Sequence, residues 1–293
     1  MAEIYTCKWC RAVSDASGLA CDNCGAPIDI TKATTDSGWT ELPPIKDMAR
    51  IQFGQSTCQI EGMYVPVADM NLVADDSVYF GHHVLLWMEP SVQLNAQSMK
   101  GGWKRMRAGL PLVMMEARGP GHVAFSEDRP GELIALPLDP GQAVDVRENH
   151  FLVASGGVSY DWFPSNVWYT TRNGDETETH YPLGMNMDRF ATPAAPGLLL
   201  LHAGGNTFLR DLAAEETILL KPPALLFKDP SVSMWLHFEH PANPVRTWRS
   251  WGNRYLWLAV RGPGRVAVQS AYEHMHDPGY RITKSTPSTS TAW

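Results

Sequence analysis

The sequence has few charged residues and no long apolar run, and these two absences exclude several classes of protein. Charged residues make up 19% of the 293 residues, a share that is low for a helical protein and suits a β-rich one. The longest apolar runs, Val84–Met88 and Leu198–Leu201, are far shorter than the roughly 20 residues of a membrane-spanning helix. The first ten residues show neither a basic nor an apolar region of a secretory signal, so we expect a cytoplasmic protein.

The chain also lacks a net positive charge and the common catalytic motifs. A net charge of −7 argues against wholesale binding of nucleic acid or anionic membranes, although it leaves room for a local basic patch. There is no GxSxG elbow, no phosphate-binding glycine loop, no dinucleotide fingerprint and no cupin-like HxH with a downstream glutamate. We therefore predict a protein that is not an enzyme, with no catalytic or cofactor-binding residues in its body.

What the chain has in quantity is glycine and proline, 24 and 22 residues, which punctuate it as many short strands with tight turns require. Three segments align at a fixed offset, each running from an aliphatic residue to a valine after a turn. They are Val78–Val92, Val144–Val158 and Ile218–Val232, preceded by Leu72, Leu138 and Leu212 and followed by the echoes Gly121–Ser126, Gly197–His202 and Gly264–Ser270. A period of roughly 70 residues predicts one β unit used three times, packed around a shared core, with a hairpin at the centre of each unit.

These patterns divide the chain into four parts. We expect a zinc-ribbon module at 1–30, a semi-rigid linker with two prolines at 31–50, and a β body at 51–270. The three repeats of the body cover about 51–126, 127–202 and 203–270. The remainder, 271–293, is rich in Ser, Thr and Pro and is expected to be a flexible tail.

Four of the five cysteines form a CxxC-x10-CxxC pattern: Cys7, Cys10, Cys21 and Cys24. Two such knuckles can close a tetrahedral shell of thiolates, which leaves no open position, so we predict one structural Zn²⁺ per chain. The alternatives are a dithiol redox pair or disulfides. The fifth cysteine, Cys58, is expected to be a structural thiol. Residues 1–30 carry more acidic than basic residues, a balance that favours a ribbon that binds protein.

Two stretches mix cations with tryptophans, and each precedes a Gly-Pro-Gly turn. Basic residues beside aromatic ones are typical of single-stranded nucleic-acid binding, and Arg and Trp are also enriched at protein interfaces. The equivalent stretch of the second repeat, 172–178, is acidic instead. We therefore favour subunit or partner contact over nucleic-acid contact. The candidate interaction residues are Lys100, Trp103, Lys104, Arg105, Arg107, Trp248, Arg249, Trp251 and Arg254.

The segment KGGWKR at 100–105, Gly109 and the segment ARGPGHV at 117–123 carry a family resemblance. Over about 51–270 the chain resembles the altered-inheritance-of-mitochondria 24 family and its bacterial branch of unknown function. The resemblance implies three units like those of the tryptophan RNA-binding attenuation protein (TRAP) and a tendency to self-associate. It also implies a scaffolding role, because the mitochondrial member is linked to inner-membrane organisation. The N-terminal ribbon is an addition to that pattern.

Together these observations predict an all-β protein: three TRAP-like units of the pseudo-threefold β-prism or double-stranded β-helix type, plus a small zinc ribbon. The favoured function is a non-enzymatic scaffold that forms a homo-oligomer and binds an unidentified protein partner through the ribbon. The alternative is a nucleic-acid-binding or regulatory protein that uses the ribbon and the basic-aromatic loops. A β-barrel metalloenzyme is the third hypothesis, because the sequence shows no set of metal ligands that would converge. His237 and His240, for example, would lie on opposite faces of a strand.

Overall fold

The computed structural model describes residues 4–15, 18, 20–28, 34–98, 113–173, 175–239, 255–273, 275 and 281–285. All regular elements of this part are β-strands, apart from two single 3-10 turns at His82–Val84 and Pro222–Ala224. The prediction of an all-β fold is confirmed. The likeness of the units to TRAP stays a prediction.

The strands follow the sequence patterns closely. Ala49–Phe53 alternates buried and exposed side chains, as a strand with one face on a core does. Gly197–Ala203, which contains the run of four leucines, is buried at every position because it lies inside a sheet that is covered on both faces. The first strands are β1 (Ile4–Thr6), β2 (Val13–Asp15), β3 (Thr40–Glu41), β4 (Ala49–Phe53) and β5 (Ser56–Glu61).

After β5, six strand positions, here named A to F, occur three times in the same order. In the first unit they are β6 (Val67–Leu72), β7 (Ser77–Phe80), β8 (Leu85–Met88), β9 (Gln93–Ser98), β10 (Val113–Arg118) and β11 (Gly121–Phe125). In the second they are β12 (Glu132–Leu138), β13 (Ala143–Arg147), β14 (Phe151–Ser155), β15 (Ser159–Pro164), β18 (Asn186–Ala191) and β19 (Gly197–Ala203). In the third they are β20 (Thr207–Leu212), β21 (Thr217–Leu220), β22 (Leu225–Lys228), β23 (Ser233–Glu239), β24 (Tyr255–Arg261) and β25 (Gly264–Gln269).

The aligned sequence features fall at equivalent places in these units. Each of the three aligned leucines ends a strand at position A, and each of the three echoes begins with the strand at position F. In the second unit a hairpin of β16 (Tyr169–Asn173) and β17 (Glu176–His180) lies between positions D and E. The last described strand, β26 (Arg281–Ser285), pairs with β16.

Each unit contributes strands to two sheets. Positions A, F and C lie side by side in one sheet, and positions D, E and B lie side by side in another. The second sheet of one unit joins the first sheet of the next unit through antiparallel pairing of B with C. These joints produce the six-stranded sheet β12-β19-β14-β7-β10-β9 and the seven-stranded sheet β15-β18-β13-β22-β25-β20-β3.

The expected turns form, but the predicted central hairpins are wrong. In each unit a backbone hydrogen bond closes the turn after position C: Val92 to Glu89, Val158 to Ser155 and Val232 to Asp229. The strand before each turn, at position C, pairs with F in one sheet, and the strand after it, at position D, pairs with E in another. The two strands do not pair with each other. The turn is therefore a corner at which the chain crosses from one sheet to the other, a geometry that turn residues alone do not distinguish from a hairpin.

One side chain fixes this corner in all three units. The first residue of each turn accepts the backbone N–H of the second residue of strand F. The bonds run from His122 to the Glu89 carboxylate at 3.0 Å, from Leu198 to the Ser155 hydroxyl at 3.0 Å and from Arg265 to the Asp229 carboxylate at 2.9 Å. The same constraint is therefore met by three different residues.

Parts of the chain outside the three units pair with strands of the body. Within the expected linker, Thr40–Glu41 adds to the edge of β20, and Leu42 is buried. Within the expected flexible tail, Arg281–Ser285 is held by β16. A strand needs only an unpaired edge to bind, so a polar composition did not prevent pairing.

Candidate metal centre

The four cysteines of the predicted ribbon lie in two turns with the same hydrogen-bond pattern. In the first turn the amide of Cys7 donates to the carbonyl of Ala12 at 2.9 Å, and Arg11 donates back to Cys7 at 2.9 Å. In the second turn Cys21 donates to Ala26 at 2.7 Å, and Gly25 donates back to Cys21 at 2.8 Å. Each CxxC segment therefore folds into a knuckle that presents both sulfurs on one side.

The residue after each second cysteine has a left-handed backbone conformation. Its φ angle is 59° at Arg11 and 76° at Gly25. Glycine adopts this conformation without a steric cost, whereas other residues are disfavoured there. The first knuckle thus has the same backbone shape as the second, although arginine is less favourable than glycine at this position. The shared shape is consistent with one requirement on both knuckles, the placement of their sulfurs.

The two knuckles bring the four sulfurs together. All four Sγ atoms lie within 4.8 Å of one another. The sulfurs of Cys7 and Cys24 are 3.6 Å apart, and so are those of Cys10 and Cys21. These separations are too long for a disulfide, whose sulfurs are about 2.05 Å apart. They match the roughly 3.8 Å between thiolates that surround one ion tetrahedrally at about 2.3 Å.

The local environment shifts the pKa values of the Cys10, Cys21 and Cys24 thiols in different directions. At Cys21, burial opposes ionisation, but hydrogen bonds from the Ser14 hydroxyl and the Cys24 and Asn23 amides outweigh it and lower the pKa to about 6. Burial raises the pKa of Cys10 and, more strongly, that of Cys24. Four thiols in one buried cluster cannot ionise together without a compensating cation, so this donor set fits a divalent metal.

The ribbon packs on the β body rather than standing apart from it. The Asn23 side chain donates to the carbonyl of Arg50 at 2.5 Å and accepts from the Arg50 amide at 3.2 Å, and the Lys46 amide donates to Cys24 at 3.0 Å. Trp9, inside the first knuckle, packs against two of the three apolar clusters of the molecule. This contact surface was not predicted from the sequence, although a tryptophan between two metal-type cysteines is a usable signal for one.

The fifth cysteine takes no part in the centre. Cys58 has no exposed surface and lies in the core on β5. Burial raises the pKa of its thiol far above the ordinary value. It therefore behaves as a small apolar residue.

The basic-aromatic loops are not among the described residues. All nine candidate interaction residues lie outside the described residues, in the connections between strand positions D and E of the first and third units. Their role in subunit, partner or nucleic-acid contact stays a prediction. In the second unit the same connection is the β16–β17 hairpin.

The fold and the centre together define an all-β protein of three consecutive units with a four-cysteine cluster packed against it. A family model described as mitochondrial biogenesis AIM24 matches residues 58–271, so the chain belongs to that family. The cysteine cluster lies outside the matched residues. No curated protein matches the chain.

Among solved structures, seven chains match this one. One is the crystal structure of a protein from Streptococcus pyogenes, with a TM-score of 0.52 and 18% sequence identity. The alignment covers 74% of this chain and 94% of that chain. This similarity supports the fold alone. Within the described residues, no helix is long and apolar enough to cross a membrane.

Proposed function

We propose that this protein is a non-enzymatic scaffold, in which a self-associating β body carries a structural zinc ribbon that binds a protein partner. The observation that carries the proposal is the position of the ribbon. One face of the ribbon packs on the body. No described residue covers the opposite face. The ribbon therefore presents a surface in a fixed orientation.

Zinc is the metal that the four thiolates favour. Soft sulfur donors in a tetrahedron select Zn²⁺ over harder divalent ions, and a closed shell gives the ion a structural role. A segment of this size cannot bury a stable core, so metal binding would supply the free energy that folds it.

Elemental analysis of the purified protein tests this step. We expect one zinc per chain, and we expect the double variant Cys7→Ser, Cys10→Ser to bind none. The matched control is Cys58→Ser, because Cys58 is a buried cysteine outside the cluster and should leave the zinc content unchanged. Zinc that persists in the double variant would contradict the assignment.

The free face of the ribbon carries two exposed apolar side chains. In the β1–β2 hairpin Thr6 lies opposite Val13, and Ile4 lies opposite Asp15. Ile4, Thr6 and Val13 share the face that points away from the buried Ser14. Ile4 is 74% exposed and Val13 is 67% exposed. Apolar side chains that are so exposed on a rigid hairpin are suited to bind a partner with an apolar surface.

The test of partner binding is affinity capture with the double variant Ile4→Ser, Val13→Ser. The variant should keep its zinc and lose the proteins that the natural chain captures. The control is Met63→Ser, which removes an exposed apolar side chain from a loop of the body. The proposal fails if the ribbon variant captures the same proteins in the same amounts, or if the control loses them equally.

A further inference from the structure

The two joints between units use the same strands in the same register. Between the first and second units, β7 pairs with β14 so that Phe80 lies opposite Val153 and Tyr79 opposite Ala154. Between the second and third units, β13 pairs with β22 in the equivalent register. There Val146 lies opposite Phe227 and Asp145 opposite Lys228. A joint is therefore a defined contact between position B of one unit and position C of the next.

The paired residues of both joints are buried. The paired residues of the first joint are between 0% and 8% exposed, and those of the second are between 0% and 4% exposed. Each joint lies in a sheet that carries an apolar cluster on both of its faces, so apolar and charged side chains are buried there alike.

The two ends of the series lack this contact. Position C of the first unit, β8, is the last strand of its sheet, and position B of the third unit, β21, is the last strand of another. Neither edge pairs with any strand in the part of the chain that the structure describes. On β8, Leu86, Trp87 and Met88 are 53%, 44% and 40% exposed, and on β21 Leu219 is 41% exposed.

We propose that these two edges bind each other between copies of this chain, head to tail. β8 of one copy pairs antiparallel with β21 of the next and repeats the internal joint. The internal register places Trp87 opposite Leu220 of the next copy and Met88 opposite its Leu219. This deepens the self-association in the proposed function and names its surface. It does not depend on the ribbon.

The chemistry of the two edges is complementary. An unpaired strand edge offers backbone donors and acceptors to any extended partner, and the exposed side chains decide which partner it accepts. One register position can be compared in all three joints. It holds Tyr79 and Ala154 in the first internal joint, and Asp145 and Lys228 in the second. In the new joint it would hold Leu219 and Met88. Both are apolar, so the contact buries no unpaired charge.

A joint of this kind has a direction, because it uses two different surfaces. Head-to-tail contacts between identical copies continue until a ring closes or a filament forms, whereas an isologous contact stops at two copies. Each further copy adds three units to the series. The natural chain should therefore form assemblies larger than a dimer.

Light scattering after size exclusion tests both the contact and its direction. The natural chain should have a mass above twice its 32.5 kDa. Met88→Asp and Leu219→Asp, each alone, should be monomeric at 32.5 kDa, because each places a carboxylate in the apolar joint. An equimolar mixture of the two variants should form a dimer and go no further. One intact β8 then meets one intact β21, and the two remaining edges are both acidic.

The controls separate this contact from unfolding and from the ribbon. Met63→Asp makes the same change at a more exposed methionine away from both edges and should assemble like the natural chain. Both edge variants should keep one zinc per chain and the circular-dichroism spectrum of the natural chain. A monomeric natural chain would overturn the proposal, as would a Leu219→Asp chain that still assembles, since that indicates β8 pairing with β8. The proposal would also be overturned if both edge variants still assemble while the double variant Ile4→Ser, Val13→Ser does not.

Discussion

The two internal joints connect the same strand positions in the same register, yet the side chains at their centres differ. In the first joint Tyr79 lies opposite Ala154, and its ring is 5.7 Å from the ring of Phe151. In the second joint Asp145 lies opposite Lys228, and its carboxylate is 2.9 Å from the ammonium. Backbone pairing therefore defines the joint. The side chains determine whether the stability of the joint depends on an ion pair.

The charged joint is the more demanding of the two. The Asp145 carboxylate has no exposed surface, and Arg189 binds both of its oxygens at 2.6 and 3.0 Å. Removal of ions from water is unfavourable, so such a group is tolerated only when it is fully paired. The apolar joint has no such requirement. Its tyrosine, Tyr79, has a buried hydroxyl with no hydrogen-bond partner among the described residues.

The largest effect is expected when the charged pair is broken. Lys228→Met leaves Asp145 buried with Arg189 alone, and should lower the free energy of unfolding by about 3 to 5 kcal/mol. Urea denaturation measures it. Lys46→Met, at an exposed lysine, is the control and should change stability by less than about 0.5 kcal/mol. Equal losses in the two variants would contradict the importance of burial.

A second substitution should recover part of that loss. The double variant Asp145→Asn, Lys228→Met removes both charges at the centre of the joint, and Arg189 stays solvated because its side chain is 41% exposed. Replacement of a whole buried pair is often close to neutral. We expect the double variant to be more stable than Lys228→Met alone by at least about 1 kcal/mol in the same denaturation experiment. A double variant that is less stable than the single one would show that the carboxylate has a further role.

The equivalent change in the apolar joint should be close to neutral. Tyr79→Phe removes a buried hydroxyl that has no partner and keeps the ring contact. Because such a group is unfavourable when buried, the expected change lies between zero and about 1 kcal/mol of added stability. Thermal unfolding measures it, and a loss above about 1 kcal/mol would mean that the hydroxyl contributes to the joint.

The smallest effect concerns pH at the edge of the sheet that contains the apolar joint. Burial and the neighbouring Glu41 raise the pKa of Glu132 on β12 to about 7, although a backbone hydrogen bond from Thr207 opposes this. The raised pKa means that folding favours the protonated form. This contribution is complete below the ordinary value near 4.5 and is lost as the pH rises through 7. Glu132→Gln should therefore raise the melting temperature relative to the natural chain much more at pH 8 than at pH 5. The same difference at both values would exclude titration as the cause.

Much of the local structure could be predicted from the sequence. Alternation placed strands such as Ala49–Phe53 correctly, and the three aligned leucines mark three strand ends. The cysteine spacing predicted the cluster, because a CxxC knuckle is a local structure determined by a few neighbouring residues. The contact of Trp9 with the body was not predicted, since nothing local to a tryptophan states which distant surface it covers.

The sequence by itself determined where the strands and turns lie, that the body is all β, and which four thiols meet. Each of these depends on interactions between residues that are near in the chain. The tertiary structure alone decided that each turn is a corner between two sheets, and that position B of one unit pairs with position C of the next. Many strands of similar pattern offer equally suitable edges, and only the packing of the whole chain selects among them. The same packing leaves β8 and β21 as the two edges of that kind still unpaired within the described residues.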